Sequence, residues 1–230
     1  MINPVRHRFK DLHPWRISGK RAREIQGELR SRVAMEEFVG PVERVAGVDV
    51  GFEDGRVACA AVVVLSFPAL EVLECAVARR RLFFPYIPGY LSFREVPPIL
   101  SALSRLQTLP DLILCDGQGY AHPRRFGLAC HLGVITDIAT IGVAKTRLIG
   151  THRKVGARKG QWAYLVHDGE RIGMVLRTRD DTNPVFVSIG HKVSLLQAKR
   201  FTLACCSRYR LPETTRAAHR AASGDEPCSG

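Results

Sequence analysis

The chain lacks any apolar run long enough to span a bilayer, so a membrane-spanning helix is not expected. It has no CxxC pair, and its seven cysteines (Cys59, Cys75, Cys115, Cys130, Cys205, Cys206 and Cys228) are odd in number. That fits neither a disulfide framework nor a zinc pattern. Several lie inside apolar runs, where buried free thiols in a reducing compartment are the simplest account. The opening MINPVRHRFKDLHPW is basic but has no apolar core of a secretory signal. A cytoplasmic location is therefore expected, with no membrane partner. Acid is the scarcer charge: 22 Asp and Glu stand against 34 Lys and Arg, for a net +12 and a pI near 9.8. A surplus of that size points to a polyanion, with plain solubility as the alternative. Residues 145–160, KTRLIGTHRKVGARKG, contain no acid at all and read as a loop near phosphates.

What is present describes one soluble domain. Hydrophobic residues make up 46% of 230, enough for a full core. Residues 1–18 have no periodicity and read as a basic N-terminal arm. Residues 20–38 have apolar residues at helical spacing (Ala22, Ile25, Leu29, Val33). Three strands follow, over 44–52, 56–67 and 71–84, and suggest an antiparallel meander. Then the pattern alternates: a helix over 93–109, with Pro97 and Pro98 tolerable only in its first turn; a strand over 110–117; helical spacing over 123–136; a strand over 139–145. That alternation argues for parallel crossovers. Residues 161–178 read as a hairpin turning at Asp168–Gly169, 183–191 as a strand, and 192–209 and 212–222 as helices. No repeat or linker divides 19–222, and 223–230 reads as a disordered tail. The fold class is α/β, a mixed sheet flanked by helices.

Three carboxylates stand out. Asp49 interrupts the apolar run VAGVDVGF, Glu95 opens a helix, and Asp116 ends the strand LILCD. A carboxylate within a strand is costly unless paired, hydrogen-bonded or metal-bound. Strand-end acids in α/β sheets lie where ligands bind. Together the three suit Mg²⁺, which takes a few carboxylates and keeps waters and substrate phosphate. Each alone also has an ordinary reading: an ion pair for Asp49, a helix N-terminal acid for Glu95, a turn cap for Asp116. In DGQGYAHP, glycines flank Gln118 and allow close backbone approach. His122 there could position a phosphate or a base, or sit in a surface turn. His219, on the last helix, reads as solvent-facing.

The runs VAGVDVGF, FPYIPGYLSFRE, PDLILCDGQGYAHPRRFGLACHLGV, TIGVAKTRLIG, VFVSIGH and TRAAH resemble the endonuclease V family over roughly residues 10–222. The resemblance implies an RNase H-like fold, with a mixed five-stranded core sheet. It implies cleavage of DNA carrying deoxyinosine, the product of adenine deamination, at the second phosphodiester bond 3′ of the lesion. The ends left are 3′-hydroxyl and 5′-phosphate. Mg²⁺ is the implied cofactor and Mn²⁺ its substitute. Some members cut inosine in RNA, and a monomer is the usual state. Carried onto this chain, Asp49 and Asp116 are metal ligands and Glu95 is the third acid. His219 reaches the catalytic centre, and Lys145 lies near the scissile phosphate, where a fixed cation stabilises developing charge.

The resemblance also makes Pro85, Tyr86, Ile87 and Pro88 a wedge. The prolines stiffen the loop so that Tyr86 and Ile87 enter a base stack while the damaged base flips out. Gly89, Leu91, Gly117 and Gly119 are the implied pocket wall, where backbone amides could read the O6 and N1 edge of hypoxanthine, and His122 closes its side. Without the family, PYIP would read as a loop packed internally. One departure is clear: Ser194 stands where the family usually has an Asp. Other readings are an inosine-directed ribonuclease, a lesion-binding protein without catalysis, and an RNase H-like nuclease acting on hybrids or junctions.

Overall fold

The computed structural model describes residues 9–37 and 39–224. Its frame is a single eight-stranded sheet. β1 (Arg44–Glu53), β2 (Val57–Ser66) and β3 (Val72–Arg81) form the expected antiparallel meander. Asp54 and Gly55, both at positive φ, turn the chain between β1 and β2. β4 (Leu112–Cys115) and β5 (Ala139–Ala144) then run parallel to β1, as the β-α-β-α-β pattern requires. β6 (Trp162–His167), β7 (Glu170–Leu176) and β8 (Val185–His191) complete the order β3-β2-β1-β4-β5-β8-β7-β6. The expected five-strand core is thus extended by three antiparallel strands.

Helices cover both faces. α2 (Ser92–Leu103) and α3 (Leu128–Thr136) bury Val96, Ile99, Leu103, Leu132 and Ile135 against one face of β1, β2 and β4. α1 (Gly19–Arg30) packs beside them. α4 (Leu195–Ala204) and α5 (Glu213–Ser223) cover the other face through Ala198, Phe201, Ala217 and Ala218. Each Val, Leu or Ile buried this way contributes about 1.5–3 kcal/mol before chain entropy is counted. With helices on both faces, β2 is apolar almost throughout and does not alternate. Residues 9–18 form no helix or strand but are docked: the Lys10 amide donates to the Ile135 carbonyl, and His13 packs buried against Trp15 and Phe93. Of the tail expected over 223–230, Ser223 ends α5 and Gly224 caps it; residues 225–230, with Cys228, and residues 1–8 of the expected arm lie outside the described residues.

Three local expectations change. α1 ends at Arg30, not at residue 38, because Ala34 is drawn away: its amide donates to His191 Nδ1 and its carbonyl accepts from the Lys192 amide. Pro97 and Pro98 sit in the second turn of α2, since a helical turn already begins at Leu91 and both rings pack inside. Residues 123–127 are loop, with Arg125 at positive φ. Cys59, Cys115, Cys130, Cys205 and Cys206 are free and buried, as expected. Ser194 has a plain role. It is the N-cap of α4, accepting from the Gln197 amide at 3.2 Å while Gln197 Oε1 accepts from the Ser194 amide.

Gly47 fixes how α5 reaches the sheet. A Cβ there would stand 1.9 Å from the Thr214 carbonyl oxygen, in the first turn of α5. Backbone against backbone cannot yield cheaply. Gly47→Ala is expected to cost about 1–3 kcal/mol in chemical denaturation and to displace the helix that carries His219.

Candidate active site

Strand register brings two of the three acids together. In the parallel β1–β4 pair, Val48 lies beside Cys115, so the next residues, Asp49 and Asp116, emerge side by side. Asp49 shares the parity of Val45 and Gly47 and therefore faces α5. There His219 Nδ1 lies 2.7 Å from Asp49 Oδ2. His219 is exposed, as its sequence setting suggested, yet it touches the site. Lys145, just past β5, places Nζ 2.5 Å from Asp116 Oδ2.

Glu95 comes from the other face, in the first turn of α2. Burial, and then the charges of Asp49 and Asp116, push its carboxyl up to about 8, with Arg94 opposing them. All five sequence-expected catalytic residues are thereby linked: two contact pairs, and one acid that feels both aspartates.

The donor set fits a hard divalent cation, being all carboxylate oxygen with repulsion that a cation would relieve. It is not a closed cage: among the described residues no three His, Cys, Asp or Glu side chains converge on one ion position. Asp49 and Asp116 are instead turned to the His219 ring and the Lys145 ammonium.

A cavity of about 360 Å³ opens beside these acids. Glu95, Asp116 and Lys145 line it, and so do Gly89, Leu91, Gly117 and His122. Gly119 does not. A Cβ on it would meet the Ile189 carbonyl at 2.1 Å, so it is a packing glycine behind the wall. The expected reading of a base by glycine amides also changes. The Gly117 amide donates to the Cys115 carbonyl, and the Gly119 amide donates to Ser188 Oγ.

The 85–88 loop divides its labour. Tyr86 is 68% exposed and lines the cavity mouth with Pro88. Ile87 is half-buried and packs with the cluster that holds α1, so it anchors the loop. The Gly89 carbonyl secures the C-terminal end. It accepts from Gln26 Nε2 at 3.1 Å, Arg124 Nη2 at 2.6 Å and His122 Nε2 at 3.0 Å. His122 Nδ1 accepts the Arg124 amide, which leaves Nε2 to donate. Burial, then the Arg124 charge, lower His122 to about 4, so it is neutral at ordinary pH. It is buried, not the surface turn residue its sequence also allowed.

Gln26 and Arg124 were not anticipated. Gln26 is fully buried and also donates to the Phe126 carbonyl, while its Oε1 accepts from Arg124 Nε. Its signal was a polar residue four positions after Ala22, inside the apolar stripe of α1. Arg124, stacked on Tyr90 at 4.2 Å, had no such signal. Gln118 also lines the cavity, tied through Nε2 to the Thr146 carbonyl at 3.0 Å.

A family model described as Endonuclease V matches residues 27–220. The Endonuclease V of Trichormus variabilis is 57% identical over 213 residues, covering 92% of this chain and 96% of that protein. The crystal structure of the Streptomyces avermitilis Endonuclease V gives a TM-score of 0.88 at 47% identity, covering 92% of this chain and 94% of that one. The Ciona intestinalis Endonuclease V, in complex with a 24mer DNA containing an inosine followed by a ribo-adenosine, gives 0.78 at 27% identity, covering 90% and 96%.

The two loop residues should separate in thermal denaturation. Tyr86→Ala is expected to leave the melting temperature unchanged. Ile87→Ala is expected to lose about 1–2 kcal/mol, below the figure for a fully buried isoleucine. Equal stability for both variants would contradict the inward anchor.

Proposed function

The chain belongs to the endonuclease V family, and from that premise we propose a metal-dependent repair endonuclease directed at deoxyinosine in DNA. It hydrolyses the second phosphodiester bond 3′ of the lesion, leaving 3′-hydroxyl and 5′-phosphate ends. One observation carries this reading: a single cavity is lined both by acids of the cleavage site, Glu95 and Asp116, and by the base-pocket residues Gly89 and His122. Lesion recognition and hydrolysis then act on neighbouring parts of one strand.

Asp49, Glu95 and Asp116 would hold the cofactor, Mg²⁺ with Mn²⁺ as substitute. Bound there, it supplies a more acidic water and neutralises charge on the phosphate. The chain's own groups do the rest. Tyr86, on a loop stiffened by Pro85 and Pro88, enters the stack as the base leaves. Unstacking costs a few kcal/mol, and the ring replaces part of it. The flipped base enters a largely apolar cavity beside Leu91 and Leu128. His122, neutral and committed to Gly89, holds that wall in one protonation state across the neutral range. Lys145 offers a fixed cation to the scissile phosphate. His219 orients Asp49. Lys145, Thr146, Arg147 and Leu148, at the head of the acid-free segment, line the cavity where substrate phosphate would lie. No described helix is long and apolar enough to cross a membrane; we infer a cytoplasmic monomer.

A second reading keeps the site and changes the polymer. The Ciona relative was solved with an inosine followed by a ribonucleotide. Inosine-containing RNA is therefore the alternative substrate.

The test is cleavage of an end-labelled duplex bearing one deoxyinosine, with and without Mg²⁺, beside the matching inosine RNA. Wild type is expected to nick one nucleotide 3′ of the lesion only with metal. Asp49→Ala should lose about 10²–10³-fold or more, at least the cost of one transition-state contact. Tyr86→Ala should lose about 5- to 150-fold, the worth of one stacked ring. A cut confined to RNA moves the function to RNA. Tight lesion binding with no cut in either polymer leaves a binding protein.

A further inference from the structure

We propose that a second basic surface, at the outer edge of the sheet, holds the nucleic-acid backbone beyond the catalytic cavity; this rests on the function proposed above. A single stretch of chain joins the two places. Lys145, Thr146, Arg147 and Leu148 line the catalytic cavity. A few residues on, Thr151, His152, Arg153 and Lys154 line a separate cleft of about 710 Å³ together with Trp162 and Tyr164 of β6. The stretch is moored to the sheet: the Thr151 amide donates to the Val166 carbonyl at 2.7 Å, and the Val166 amide donates back at 2.9 Å.

The cleft's chemistry matches a phosphodiester chain. Its lining contains two permanent cations and no acid. Nearby acids are engaged elsewhere. Glu170 accepts from Tyr120 and Arg125, Asp168 pairs with His167, and Asp180 accepts from the Lys159 amide. The floor is aromatic, with Trp162 and Tyr164 edge to face at 4.9 Å. Lys199 stands 4.9 Å over the Trp162 ring and Arg171 4.3 Å over the Tyr164 ring. Cations placed on rings are fixed in position without an acid cancelling their charge. Nucleic acid is favoured over an acidic protein because this same segment begins inside the cavity that must hold substrate phosphate. From Lys145 to Lys154 the chain can reach at most about 30 Å, so the surface lies within a few phosphates of the cut.

The test uses Arg153→Ala/Lys154→Ala, both exposed and outside the catalytic machinery. Binding of an undamaged duplex is measured by fluorescence anisotropy across a salt series. Removing two phosphate contacts is expected to flatten the slope of log K against log salt by about 1.8 for duplex DNA. On a long deoxyinosine duplex, KM should rise while kcat holds. On a duplex shortened to end at the catalytic cavity, the two proteins should match. Arg153→Lys/Lys154→Arg should restore binding, which a folding defect would not explain. An unchanged slope overturns the proposal. So does a fall in kcat at constant KM, which would make the segment a support for Lys145 alone. Because undamaged duplex needs no chemistry, the binding arm decides this surface even if wild type fails to cut deoxyinosine.

Discussion

Mutual repulsion among three carboxylates is the constraint on which the site depends. Asp49 and Asp116 leave adjacent parallel strands side by side, and Glu95 is lowered toward them from α2. Left alone, such a group would spread apart or take up protons. The fold prevents spreading. Hydrogen-bonded strands fix two of the acids, and a helix packed on their sheet fixes the third. Gly47 lets α5 rest directly on β1, bringing His219 to Asp49, while the end of β5 brings Lys145 to Asp116. The stability given up there is the usual cost of a site poised for a cation.

The loop proposed as the wedge is built differently, by pinning one backbone oxygen. The Gly89 carbonyl takes donors from Gln26 of α1 and from His122 and Arg124 of one loop, so two parts of the chain agree on where the 85–88 loop ends. Ile87 fixes its middle from below. Tyr86 stays exposed on the solvent side, between two exposed prolines. A loop anchored at both places is held in one conformation, as the proposed wedge would require.

The architecture was legible where local signals and tertiary demands agree. The meander, the crossovers and the Asp168–Gly169 turn followed from periodicity and turn chemistry. Asp49 announced itself as a charge inside an apolar strand. Helix ends were less legible, because α1 stops where β8 claims Ala34, a contact remote in sequence. The roles of His219 and His122 did not follow from their own surroundings. Each depends on a partner from elsewhere in the chain, Asp49 in one case and Gly89 in the other. Gly117 and Gly119 resembled ligand-binding glycines, but their amides serve the protein itself. Gln26 did carry a signal, since only an internal partner justifies a glutamine in an apolar stripe.

The most direct measurement is a Mn²⁺ titration followed by the electron paramagnetic resonance of the free ion, without nucleic acid. It compares wild type with Asp49→Asn and Asp116→Asn, each shown to be folded by its thermal melt. Wild type should deplete the free-ion signal. Each variant should bind more weakly, by at least the about 10–100-fold that losing an outer-shell partner costs. Equal binding by all three proteins would contradict the claim that Asp49 and Asp116 form the metal site.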